Sequence, residues 1–185
     1  MSFADDIKKS VNGDEYYTRQ EAVNLILPYI FKNGFRSVWC PFDTEDSNYV
    51  KTFKMVGLNV VYGHIETGQD FFSYDEPQAE CIVSNPPFSK RNEILAKLYG
   101  WNIPFALILY FNGLFDAELR WSLCKENGVE LLIPNGRMRF NHRDKGELNS
   151  PNFQSIYVCY KMLGGEKIVF DDYVKFGKVK EHDNE

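Results

Sequence analysis

Cys81-Ile82-Val83-Ser84-Asn85-Pro86-Pro87-Phe88 decides how this chain is read. The apolar triplet, two of its members β-branched, reads as a short buried strand. The proline pair behind it removes two backbone donors and holds the preceding residue in an extended conformation. The strand therefore ends on a rigid peptide. One end of that peptide offers an amide oxygen and a carbonyl, and the other a flat aromatic ring. Such a set can hold a planar group bearing an exocyclic amine, with acceptors taking the N–H bonds while the ring stacks on the plane.

Working outward, similar short apolar runs recur. Ser37 to Cys40, Leu58 to Tyr62, Phe105 to Tyr110 and Val129 to Ile133 read as strands, each closed by a turn residue or a polar stretch. Between them, residues 46–56, 93–99 and 117–125 carry apolar residues at helical spacing. An earlier helix is expected from Glu21 to Ile30, with Thr18 and Glu21 as a capping box and Pro28 as a kink near its end. Phe153 to Met162 and Lys167 to Phe170 read as late strands with no helix between them. Strands alternating with helices from about residue 36 to residue 134 predict an α/β domain with a mostly parallel sheet and helices on both faces. The late strands predict an antiparallel C-terminal edge. In such sheets ligands bind beyond the carboxyl ends of the strands, which places the chemistry just after Cys40, Tyr62, Val83, Leu109 and Ile133.

Composition sets the bounds. The chain has 185 residues, 44% of them hydrophobic and 16% aromatic, enough to fill one core. Residues 16–172 read as a single domain, residues 1–15 as a loosely held polar segment, and residues 173–185 as a charged tail. The net charge of −5 argues against a generally basic nucleic-acid coat or a polybasic membrane binder, though not against a local basic patch. No apolar run reaches the length of a membrane span. Met1 to Ser10 holds Asp5, Asp6, Lys8 and Lys9 and no apolar core, so no secretory signal is expected and the expected compartment is a reducing cytoplasm. The cysteines Cys40, Cys81, Cys124 and Cys159 are widely spaced, three of them in apolar stretches, and read as buried thiols. His64, His142 and His182 have no ligand spacing, so no metal is expected.

Asn85-Pro86-Pro87-Phe88 resembles the Asp/Asn/Ser-Pro-Pro-aromatic motif of S-adenosylmethionine-dependent amino-methyltransferases, and most of all the DNA adenine-N6 methyltransferases of phages and prophages. Other stretches are similar to that family in the same order. They are Tyr16-Tyr17-Thr18, Val38-Trp39-Cys40-Pro41-Phe42-Asp43, Asp70-Phe71-Phe72, Leu132 to Phe140, and Ser150-Pro151-Asn152-Phe153. The likeness covers about residues 16–160.

The resemblance implies a Rossmann-like methyltransferase fold, S-adenosylmethionine as cofactor, and DNA as partner in the cytoplasm of a bacterial host. It assigns the amine-holding and catalytic role to Asn85, Pro86, Pro87 and Phe88, with Phe88 stacking on a flipped-out base. It assigns the cofactor to Tyr17, Thr18, Pro41, Phe42, Asp43, Glu66, Asp70 and Phe71. The family's first loop carries glycines. Pro41 to Asp46 here carries none, although Asp43, Glu45 and Asp46 cluster there. Two alternatives stand beside this reading: methylation of RNA adenine or protein glutamine, and a non-catalytic relative that binds DNA or a host protein.

On the substrate side, Arg137, Arg139, His142, Arg143 and Lys145 form the one basic cluster of an acidic chain, following the strand that ends at Ile133. Arg137, Arg139, Arg143 and Lys145 are the candidate nucleic-acid contacts, reaching phosphates. Phe140 and Asn141 are candidates for stacking or base contacts, and Phe111 and Phe115 for a pocket wall or for core.

Overall fold

The computed structural model describes residues 16–142, 146–147 and 154–172. Segments 1–15 and 173–185, Arg143, Lys145 and the Ser150-Pro151-Asn152-Phe153 stretch lie outside the described residues. The strands are β1 (Tyr16–Thr18), β2 (Ser37–Cys40), β3 (Asn59–Tyr62), β4 (Cys81–Ser84), β5 (Phe105–Tyr110), β6 (Glu130–Pro134), β7 (Phe140–His142), β8 (Gly146–Glu147), β9 (Ser155–Tyr160) and β10 (Ile168–Asp171). The α-helices are α1 (Gln20–Lys32), α2 (Asn48–Met55), α3 (Arg91–Trp101) and α4 (Glu118–Asn127). Single 3-10 turns cover Ile65–Thr67, Phe71–Ser73 and Phe88–Lys90.

Seven strands form one sheet in the order β10-β6-β9-β5-β4-β2-β3. Every pairing is parallel except those of β9, which runs against both β5 and β6. An α-helix connects β2 to β3, β4 to β5 and β5 to β6, while two 3-10 turns lie between β3 and β4, and such crossovers let successive strands run parallel. Among the described residues no helix lies between β6 and β9, and β9 runs back against β6. The antiparallel strand is therefore interior, not the C-terminal edge that the late strands predict. Ser155 to Cys159 are all buried, and a strand apolar on both faces needs cover on both sides. The edge goes instead to β10, parallel to β6, whose Ile168 and Phe170 are exposed.

Side-chain alternation along the strands builds two cores. Val38, Cys40, Cys81, Val83, Ala106, Ile108, Leu132 and Tyr157 face α1 and α2. Trp39, Ile82, Phe105, Leu107, Leu109, Ile156 and Val158 face α3. Helices on both faces thus follow from buried residues at successive positions. All four cysteines are buried and free.

Helix α1 buries Ala22, Val23, Ile26 and Ile30, a stripe at helical spacing. It runs through Pro28, which lies on its exposed side, where the carbonyl left without a donor meets water. Arg19, not Thr18, occupies the cap position, and it makes no side-chain cap bond. Thr18 belongs to β1, which pairs antiparallel with β7, and β7 pairs with β8. This small second sheet takes in Phe140–His142 and Gly146–Glu147 of the basic stretch. It also buries Phe140, only 1% exposed and packed in the core with Met138 and Tyr157, so Phe140 cannot stack on a ligand.

Candidate active site

The carboxyl ends of β2, β3, β4, β5 and β6 share one edge, and the expected residues leave the sheet there. At its centre, Ser84 Oγ donates to the carboxylate of Asp43. Asp43 follows β2 and Ser84 ends β4, so the bond ties the two loops at their roots. Ser47 also bonds Asp43 while its hydroxyl oxygen accepts from Val50 N at 3.2 Å as the cap of α2. Burial pushes the Asp43 carboxyl up to about 7, against the partial offset of the Ser84 and Ser47 bonds.

The network extends sideways. Asn48 Nδ2 donates to the Thr18 carbonyl at 2.8 Å, which links β1 to the start of α2. Asp43 N donates to the Gly63 carbonyl at 3.0 Å, and Gly63 N to the Cys40 carbonyl at 3.2 Å. A Cβ on Gly63 would lie 3.1 Å from Gln69 Cβ and Oε1, so a larger residue would crowd the turn that follows β3.

Asn85, Pro86, Pro87 and Phe88 follow Ser84 directly. The Asn85 side-chain oxygen is shielded from solvent, Pro86 is buried, and Pro87 precedes the 3-10 turn Phe88–Lys90. Phe88 is 4% exposed and stacks on Tyr110, ring centroids 3.8 Å apart and planes 30° apart. The ring expected to face a base is covered by another ring.

Of the expected cofactor residues, the structure brings several together. Phe42 and Phe71 lie 4.9 Å apart, and Phe71 continues into a cluster with Trp39 at 5.7 Å and Trp101 at 5.6 Å. Lys97 sits over Phe71 and Trp101 and donates to the Phe72 carbonyl at 2.9 Å. Asp70 uses its carboxylate as a turn cap, accepting from Phe72 N at 2.9 Å. Glu66 stands exposed after β3, 3.8 Å from His64 Nδ1. Pro41 is buried and Tyr17 is exposed. Glu45 and Asp46 pair instead with Lys54 and Lys51 on the surface of α2.

Phe111 and Phe115 are exposed and form neither core nor the covering of Phe88. Arg120 is buried and fixes their loop: Nε donates to the Leu114 carbonyl at 2.7 Å, Nη2 to the Gly113 carbonyl at 2.6 Å, and Nη1 to Asn92 Oδ1. Arg137 is exposed and Arg139 half-buried beyond β6, on the same edge as Asn85. Sequence reasoning missed Ser84, Ser47, Gly63, Tyr110 and Arg120. Ser47 had a legible signal, a serine ahead of an amphipathic stretch. Arg120 had none.

The parallel strands of the α/β sheet all end at one edge, and that edge carries a carboxylate–hydroxyl pair, the Asn-Pro-Pro-Phe peptide and a cluster of aromatic rings, which together make it the candidate site. No protein-family model matches the chain, and no curated protein matches it. Among the solved structures that resemble it is a precorrin-6y C5,15-methyltransferase from Geobacter metallireducens GS-15, 10% identical, with a TM-score of 0.44 over 81% of this chain and 96% of that one. Among the described residues, no helix is long and apolar enough to cross a membrane.

Proposed function

We infer that this chain transfers a methyl group from S-adenosylmethionine to the exocyclic N6 amine of adenine in DNA. The observation that carries the reading is the Asn85-Pro86-Pro87-Phe88 peptide leaving the carboxyl end of β4, inside a mostly parallel sheet. Asn85 Oδ1 and the Pro86 carbonyl are the acceptors for the amine N–H bonds, which direct the nitrogen lone pair toward the methyl group. Fixed acceptors of this kind act by positioning and by preorganised dipoles.

The residues around this peptide fit the cofactor. Phe42, half-buried and backed by the buried Phe71, gives a flat face beside the loop after β2. The exposed carboxylate of Glu66, one strand over, suits a ribose diol. Bound there, S-adenosylmethionine supplies an electrophilic methyl on a cationic sulfur. Arg137 and Arg139, with Arg143 and Lys145 outside the described residues, are the phosphate contacts, and they give a salt-sensitive grip.

The test is methyl transfer from labelled cofactor to DNA lacking methyladenine, with analysis of the methylated nucleosides. N6-methyladenine is expected, and Asn85→Ala should cut the rate about a hundredfold or more. No transfer to any nucleic acid by the unaltered protein would overturn the reading, and product found only in RNA would move the acceptor. A second reading has its own observations: the covered face of Phe88 and the sealed Asp43 suit a methyltransferase-like protein that binds without catalysis. Calorimetry separates the two. Micromolar cofactor binding favours the enzyme, and no heat at millimolar cofactor favours the binder.

A further inference from the structure

Phe111 and Phe115 lie on the loop that leaves β5, beside the strand whose end carries the Asn-Pro-Pro-Phe peptide. They stand 44% and 40% exposed, so each presents a large apolar ring to water. Phe140, the ring expected to stack on substrate, is buried, which leaves these two as the open aromatic surface near that peptide.

The loop that carries them is well fixed. Leu114 is buried in the core, and the buried Arg120 donates to the Gly113 and Leu114 carbonyls. Arg120 Nη1 donates to Asn92 on α3, the helix that starts where the turn Phe88–Lys90 ends. Phe111 N donates to the Gln154 carbonyl at 2.9 Å, and Tyr110, its neighbour, stacks on Phe88. The loop is therefore tied to the Asn-Pro-Pro-Phe segment at two points, through Tyr110 and through Asn92. Phe111 and Phe115 are carried at a set place relative to Asn85.

A cation accompanies the rings. Arg91 is half-buried at the start of α3 and pairs with no carboxylate among the described residues. Burial first, and then the Arg91 charge, lower the Arg120 guanidinium from its ordinary value, with Asp116 as a partial offset, so the two guanidinium groups are close. Exposed rings with a cation beside them suit a single nucleic-acid strand, whose bases take the rings and whose phosphates take the charge.

We propose that Phe111 and Phe115 form a platform on which unpaired bases flanking the target adenine stack, with Arg91 holding a phosphate of the same strand. The proposal rests on the adenine-methylating reading above and adds to it a preference for unpaired DNA beside the target.

The test is fluorescence anisotropy of a labelled single-stranded DNA oligonucleotide across a salt series, without cofactor. Phe111→Ala and Phe115→Ala should each weaken binding at least about fivefold, with the salt slope unchanged, because stacking releases no counterion. Phe111→Tyr and Phe115→Tyr keep the rings and should keep the affinity. Arg91→Gln should weaken binding and make the slope shallower by about 0.7. Unaltered affinity in both alanine variants, or an unaltered slope in Arg91→Gln, overturns the proposal. Both rings are exposed, so the alanine variants should melt as the unaltered protein does, and a loss of affinity matched by a loss of fold in both the alanine and the tyrosine variants also overturns it. Methyl transfer to DNA alongside unaltered alanine-variant affinities sinks this inference alone. Weakened alanine variants without any methyl transfer sink the enzymatic reading alone. Neither oligonucleotide binding nor methyl transfer by any form sinks both.

Discussion

Asp43 and Ser84, each at the root of a loop leaving an adjacent parallel strand, share a buried hydrogen bond. A carboxyl in that position has a proton to keep or lose near neutrality, and its stability cost follows. The folded chain holds the Asp43 proton up to about pH 7, while the unfolded chain gives it up near the ordinary value of 3.8. Across that window the folded state binds more protons, so rising pH destabilises it, and above pH 7 the whole cost is present, on the order of 4 kcal/mol. Asp43→Asn still accepts from Ser84 but does not titrate. Its stability advantage over the unaltered protein should be absent near pH 4 and largest above pH 7. Urea unfolding of both proteins at pH 5 and pH 8 checks this, and parallel pH profiles would refute it.

Tyr49 and Tyr157 predict an asymmetric pair of variants. Their hydroxyls lie 2.6 Å apart, and Tyr157 donates to the Ala22 carbonyl at 2.9 Å. The single Tyr157 proton is spent there, so Tyr49 donates to Tyr157. Tyr157→Phe removes the partner of a buried donor and should cost about 2 kcal/mol. Tyr49→Phe deletes that donor itself and should cost about 1 kcal/mol. Equal losses in thermal or chemical unfolding would mean that the proton order is reversed or shared.

Arg120 should be hard to replace. Arg120→Met deletes its bonds to the Gly113 and Leu114 carbonyls and to Asn92, and should lower stability by about 3 kcal/mol. Lysine cannot span the same fork and should rescue little. Limited proteolysis should find new cleavage between residues 111 and 117 in Arg120→Met, and an unchanged digestion pattern would show that the loop does not depend on this side chain.

The basic residues beyond β6 predict a salt dependence. Neutralising Arg137, Arg139 and Arg143 together should weaken DNA binding and flatten its dependence on salt, by about one unit of slope for each phosphate no longer neutralised. Filter binding across a salt series measures it. An unaltered slope would remove these residues from the interface.

The parts of this molecule that are legible in its sequence are the ones whose signal is local. Ser37 to Cys40 and Phe105 to Tyr110 are apolar runs flanked by turn residues, and both are strands to the residue. Asn85 to Phe88 stands out by composition, and it lies at the strand end that its neighbours predict. The pairing of Tyr17 with Asn141 is not legible, because the two stretches are only three residues long and lie far apart in the sequence, so neither marks its partner. The interior place of β9 comes from its pairing with both β5 and β6, which Ser155 to Tyr160 do not announce by themselves. At the site, the sequence predicts an open face on Phe88, and what hides it is Tyr110, a neighbour that only the packed sheet supplies.

The β1–β7 pairing also has a kinetic meaning. Its two strands come from nearly opposite ends of the described chain, so the loop closed between them is among the longest the fold makes. The block β2 to β5 is contiguous and can condense while the chain is still being synthesised, whereas β9 must later slot between β5 and β6, and β1 must wait for β7. Asn48, which joins β1 to the candidate site, gains its Thr18 partner at a late stage. The candidate site is thus finished last, and a nascent chain carries the Asn-Pro-Pro-Phe peptide well before the residues around it are all in place.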